Sequence, residues 1–234
     1  MINMYPARSR YTTDHGWLKS NFSFSFAEYY DPNNMNFGPM RVLNDDIIKP
    51  LKGFGAHPHH EMEIVSVVLE GYLKHEDSTG HSAITTFGEV QRMSAGTGVV
   101  HSEVNPSSTE NVNLLQMWFE PEKPGVAPSY EQTSFDIEKM KNALLPIVSK
   151  NPTSNHSAHI NQDLTIYLSD LERGREVTFT QKEGRRIFLF VIEGDVRINS
   201  KTTLNKRDSA RITETTTLHV AAESESRFML IDLP

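Results

Sequence analysis

A chain of 234 residues with a formal net charge of −7 and no cysteine excludes several classes of function at once. It offers no disulfide, thiolate metal site, cysteine nucleophile or thiol redox sensor, so any redox chemistry must reside in a bound metal or cofactor. Its acidic balance, without a Lys/Arg cluster, argues against nucleic acid and anionic membranes as partners, and no apolar stretch is long enough for a membrane span or a signal core.

The expectation is a folded cytoplasmic protein of two domains. In chain order, Phe22, Phe24 and Phe26 alternate with serines, a period of two that reads as a strand with an aromatic face. Those rings are expected to be core rather than the wall of a binding site. DPNN and FGP mark turns, MRVLNDDII is a further strand, and Lys49 to Gly55 reads as a loop. IVSVVL, Ile64–Leu69, is rich in β-branched residues and stops at Glu70-Gly71, as a buried strand does before a turn. Asp77-Ser78-Thr79-Gly80 reads as a hairpin turn, and His75, Asp77 and Ser78 are assigned to it in preference to a hydrogen-bonded shell behind metal ligands. Further strands run to NLLQMWFEP, and their spacing of about ten residues is that of an all-β sandwich or barrel.

PEKPGVAP, residues 121–128, is the strongest linker signal, and the domains are drawn as 1–125 and 126–234. A short helix is expected after it, since Ile137, Met140, Ala143 and Leu144 have helical spacing, Ser134 or Asp136 can cap it, and Pro146 stands near its end. The remainder is again a ladder of strands. VIEGDVRIN echoes VVLEGYLKH, a repeat that suggests a duplicated β-domain. The second copy has QKEGRRIF where the first carries histidines, so one metal site is expected, in the N-terminal domain.

That site is the stretch from Gly53 to Asn105. His57 and His59 stand two apart, as do His101 and Glu103, and residues two apart on a strand share a face. Three imidazoles and one carboxylate suit a first-row divalent metal; the set is too poor in oxygen for calcium and in thiolate for copper(I). His60-Glu61 begins like a zinc-protease HExxH, but Ile64 stands where the second histidine is required. There is no GxSxG, P-loop or dinucleotide-binding glycine pattern.

GFGAHPH, HEDSTG and GEVQRMSAGTGVVHSE, with GWL, FSFAEYYDP and RVLNDD upstream, resemble the pirin family of the cupin superfamily. The resemblance implies a bicupin of two jelly-roll β-barrels, with His57, His59, His101 and Glu103 as the ligands of one metal. It also implies a quercetin 2,3-dioxygenase type of activity on a flavonol and O₂, with Glu103 as the catalytic base and iron(II) as the first choice of metal. Copper, manganese, nickel and zinc also suit such a donor set. The alternative it implies is a metal-dependent, redox-responsive co-regulator that docks on a protein partner. A monomer is expected in either case. The chain departs from the pattern at three places. Glu63 has conflicting spacing and is set aside as a ligand, His60 and Glu61 alter the rim of the site, and Arg207 replaces glycine in the second domain's Leu204–Asp208 turn, which is expected to be distorted.

Overall fold

A computed structural model describes all 234 residues, and almost every regular element in it is a β-strand. The chain forms two compact units, one of residues 11–135 and 150–162, the other of residues 1–10, 136–149 and 163–234. Each is built on two antiparallel sheets, so the expected all-β, two-domain cupin architecture holds.

In the first unit the larger sheet runs, edge to edge, Ser129–Ser134, Glu89–Ser94, Glu63–Glu70, Val112–Phe119, Met40–Ile48, Leu18–Phe22 and Tyr11–Asp14. The smaller has the order Gly53–His59, Val99–Val104, Leu73–Asp77 and Ser82–Thr85. Glu63–Glu70 lies centrally and is buried from Glu63 through Leu69, which is why IVSVVL shows no alternation. The larger sheet of the second unit orders Ile2–Tyr5, Ser209–Ile212, Arg186–Glu193, Ser226–Leu233, Thr165–Leu171 and Leu145–Ser149 in turn. Leu189, Val191, Val220, Phe228 and Leu230 centre its core.

The contacts group differently from a single cut after Gly125. Ser129–Ser134, beyond the proline-rich segment, pairs with Glu89–Ser94, whereas Ile2–Tyr5 pairs with Ser209–Ile212. Unpaired backbone at a sheet edge is satisfied by whichever strand reaches it, and proline-rich composition does not report that. The expected helix is also shorter than its spacing implied. Asp136 caps it, accepting from Glu138 N, but only Ile137–Met140 turn, as a 3₁₀ helix. Asn142 then enters the left-handed region at φ 52°, and Leu145–Ser149 is drawn into the sheet against Thr165–Leu171.

The internal repeat is real at the level of backbone geometry. Gly71 and Gly194 have φ of 79° and 73°, and a Cβ on either would stand 2.5 and 2.2 Å from the carbonyl oxygens of Asn111 and Glu225. The Leu204–Asp208 turn closes despite Arg207, which takes φ 67°, a conformation costing a non-glycine residue roughly 1–3 kcal/mol. Asp208 holds it, accepting from the Asn205 and Ala7 backbone amides at 2.9 and 2.7 Å.

Gly53 has the closest tolerance near the histidines, since a Cβ there would lie 2.2 Å from the Glu103 carbonyl oxygen and 2.4 Å from Val104 Cα. Gly53→Ala must push apart the two strands that carry His57 and Glu103. Overpacking of this kind costs about 1–3 kcal/mol, which urea unfolding measures as a lower midpoint. An unchanged midpoint would contradict the close approach.

Candidate metal centre

The two histidine-bearing strands are antiparallel neighbours. His101 sits directly opposite His57, and Val99 opposite His59. The register then slips, because Glu103 lies opposite Phe54, one residue beyond the position that regular pairing assigns. The histidine strand carries the extra residue, a β-bulge that re-aims side chains. Gly55 lies in it, and its carbonyl accepts from His57 Nδ1 at 2.7 Å. That bond protonates Nδ1 and leaves the lone pair on Nε2, which is 3.1 Å from His101 Nε2. His59 lies 4.8 Å from both rings, centroid to centroid, and edge-on to Trp118.

Glu103 is 2% exposed and is held from the other sheet. Gln91 Nε2 donates to it at 2.6 Å, Ser66 Oγ at 3.3 Å, and Gln116 Nε2 to its second oxygen. These three donors form one row, since Ser66 is registered opposite both Gln91 and Gln116. Burial pushes the Glu103 carboxyl above its usual range, against the opposing pull of the Gln116 and Ser66 hydrogen bonds.

The arrangement fits a divalent metal by its own chemistry. His59 Nε2 is buried without a hydrogen-bond partner, which is costly unless something else satisfies it. The 3.1 Å between the His57 and His101 nitrogens matches two nitrogens sharing one cation at about 2.1 Å each. Donor atoms of His57, His59 and His101 lie within 4.8 Å of one another, as do those of His75, His101 and Glu103. Glu63 is elsewhere, accepting from Ser94 Oγ and from the backbone and side chain of Asn161. His60 packs over Gly98, and Glu61 accepts from the Gly125 amide.

A cavity of about 300 Å³ opens beside His57 and Glu103, walled by Trp17, Phe22, Phe26, Phe54 and Trp118. The phenylalanine expectation is therefore corrected in part. Phe24 is core at 1% exposed, but Phe22 and Phe26 wall the cavity, because the strand ends at Phe22 and the chain bends before Phe26. Asp46 also lines it. Burial raises its carboxyl to about 7, while Ser20 donates to it.

The Pirin family profile matches residues 4–119, and a profile described as the quercetinase C-terminal cupin domain matches residues 146–233. The chain belongs to the pirin family. It is 41% identical to the quercetin 2,3-dioxygenase of Escherichia coli K12, covering 100% of this chain and 99% of that one. The crystal structure of YhhW from E. coli superposes with a TM-score of 0.95 at 40% identity, covering 100% of this chain and 98% of that one. The same bacterial pirin in complex with nickel(II) gives 0.94 at 40%, with 100% and 99% covered.

Other residues of this pirin pack against the histidine cluster without belonging to its motifs. His75 and Asp77 were placed in a turn, yet both side chains are buried and paired at 3.0 Å beside His101. The usable signal was alternation in LKHED, where Leu73 and His75 are buried and Lys74 and Glu76 are not. Ser66, Gln91 and Gln116 announce themselves only as polar residues inside apolar strands.

Burial, reinforced by the neighbouring imidazoles, lowers His59 to about 4 and His101 to about 3. An unfolded chain protonates both near pH 6.5, so it binds more protons than the folded one below that pH. Stability of the metal-stripped protein is then full above about 6.5 and falls as pH drops toward 3. Urea midpoints measured on stripped protein between pH 7 and 4 should decline steadily. A flat profile would contradict these neutral, buried imidazoles.

Proposed function

We propose that this pirin is a metal-dependent dioxygenase that opens flavonols such as quercetin with O₂. The observation that carries the reading is a cluster of three imidazoles and a carboxylate of which His57 and Glu103 line an aromatic-walled cavity of about 300 Å³, the low end of the usual ligand-pocket range. The donor chemistry and the nickel complex of the E. coli relative support a metal held by His57, His59, His101 and Glu103. Iron(II) is the first choice, and copper, manganese, nickel and zinc suit the same donors. A bound cation supplies Lewis acidity toward a flavonol oxygen and, for the redox-active metals, electron transfer with O₂.

The chain's own residues do the rest. Glu103 accepts the proton of the flavonol 3-hydroxyl as the general base. Gln91, Ser66 and Gln116 hold that carboxylate in one orientation, so that no reorganisation is needed when the proton moves. Trp17, Phe22, Phe26 and Trp118 offer faces and edges to a planar polyphenol and exclude water from the site.

The test couples elemental analysis of purified protein to an oxygen electrode with quercetin. Oxygen uptake should match quercetin loss, stop on chelation and return when a metal is restored. Absence of uptake with all five metals would refute the proposal.

A further inference from the structure

We propose that Asp77 and His75 are positioning residues that hold His101 in the tautomer presenting its Nε2 lone pair toward the metal, an inference that rests on the metal-site reading above. A chain of contacts leads from the hairpin turn to that nitrogen. Asp77 Oδ2 is 3.0 Å from His75 Nε2, and His75 Nδ1 is 3.4 Å from His101 Nδ1. On the far side of the same ring, His101 Nε2 faces His57 Nε2.

Each link sets the next, because a neutral imidazole has one donor and one acceptor nitrogen. The Asp77 carboxylate accepts only, so it fixes the proton of His75 on Nε2. His75 Nδ1 is then an acceptor, and the hydrogen it takes is the one on His101 Nδ1. That leaves His101 Nε2 without a proton. His57 reaches the same state by another route, through the Gly55 carbonyl. Both facing nitrogens are thus supplied as lone pairs, which a shared cation requires.

His75 itself is excluded as a ligand, although its donor atoms lie near those of His101 and Glu103, because both of its ring nitrogens are engaged. It is 0% exposed, stacked on Tyr130 at 4.5 Å with 22° between the rings, so rotation out of the chain is blocked. Asp77 is fixed as firmly. Its Oδ1 accepts from the Thr79 amide and hydroxyl at 2.8 and 2.6 Å and from the His81 amide at 3.3 Å, while His81 Nδ1 lies 3.5 Å from Oδ2.

Asp77→Asn separates the two roles. The asparagine oxygen keeps the turn contacts, and its amide then donates to His75 Nε2. His75 must move its proton to Nδ1 and donate it to His101, which drives His101 to the Nε2-protonated form. Zinc(II) affinity, measured by competition with a chromogenic chelator, should fall roughly 10–100-fold, the range for partners of metal-bound histidines. In zinc-loaded wild type, ¹⁵N-histidine spectra should show His75 protonated on Nε2 alone and His101 on Nδ1. His75→Phe retains the stack on Tyr130, removes the acceptor and should weaken zinc binding comparably. Glu76→Gln, on the exposed face of the same strand, should leave zinc affinity within twofold.

Wild-type affinity in either Asp77→Asn or His75→Phe, or a His75 protonated on Nδ1 in the zinc-loaded protein, would overturn the proposal. A wild type that binds zinc with these tautomers but consumes no oxygen with any metal refutes the dioxygenase reading alone. Active wild type with an unaffected Asp77→Asn variant refutes only the relay.

Discussion

His101→Ala abolishes metal binding and quercetin-dependent oxygen uptake while leaving the stripped protein folded. His101 is the hub of the cluster: its Nε2 is 3.1 Å from His57, its ring is 4.8 Å from His59, and its Nδ1 is 3.4 Å from His75. Removing it deletes a donor and also the ring that touches His57, His59 and His75 alike. Since partners outside a ligand set cost roughly 10–100-fold in affinity, loss of the central imidazole should exceed that range. Ligand that binds only the folded state stabilises it by about 2.7 kcal/mol at 100 times its Kd. The wild type should show that gain as a higher thermal midpoint with added metal, and His101→Ala should not. Competition titration, calorimetry with and without metal, and an oxygen electrode read the three effects. Turnover at the wild-type rate would exclude the proposed site.

The four candidate donors were legible because strands have a period of two. An HxH and an HxE each put both polar side chains on one face, and adjacent antiparallel pairing brought the faces together. What the spacing could not show was the bulge opposite His101–Glu103, because its extra residue lies before His57 and leaves the HxH spacing untouched. The row Gln91, Ser66, Gln116 was invisible for a different reason. Its members lie on three strands separated in sequence by up to 50 residues, and only register aligns them. The strand through His75 is legible, but its place at the site is not, because only register sets His75 opposite Glu103.

The same limits explain the second unit. Its repeat of a β-rich strand, Glu-Gly and a second strand was visible, and the positive-φ glycines at Gly71 and Gly194 give the reason. Arg207 was expected to distort its turn, yet the turn is formed. The roughly 1–3 kcal/mol cost of a side chain in the left-handed region is offset by the two backbone amides that Asp208 satisfies, each bond worth about 1.5–3 kcal/mol when the acceptor is charged. Local propensity is a weak guide wherever a tertiary contact of that size intervenes.

Glu103→Gln is expected to retain metal through the three histidines, at reduced affinity, and to lose turnover by about 10²–10⁴, the usual contribution of a positioned general base. The substitution is isosteric, but its surroundings are built for an acceptor on both oxygens. Gln91 and Ser66 donate to one, and Gln116 to the other. An amide at 103 has a single acceptor oxygen, so one donor must face its NH₂. Turning over the Gln91 or Gln116 amide does not resolve the conflict. Gln91 Oε1 already accepts from Thr85 and Tyr130 at 3.2 and 3.3 Å, and Gln116 Oε1 from Trp118 Nε1 at 3.3 Å. A buried donor therefore goes unsatisfied in every arrangement, at a cost of about 1–3 kcal/mol, or a fall of about 2–4 °C in Tm per kcal/mol for a chain of this size. Elemental analysis separates the metal effect, the oxygen electrode reads kcat, and calorimetry reads the destabilisation. Loss of oxygen uptake with metal still bound assigns the proton to Glu103. Turnover above a tenth of wild type would remove Glu103 from the chemistry and leave it as a ligand alone.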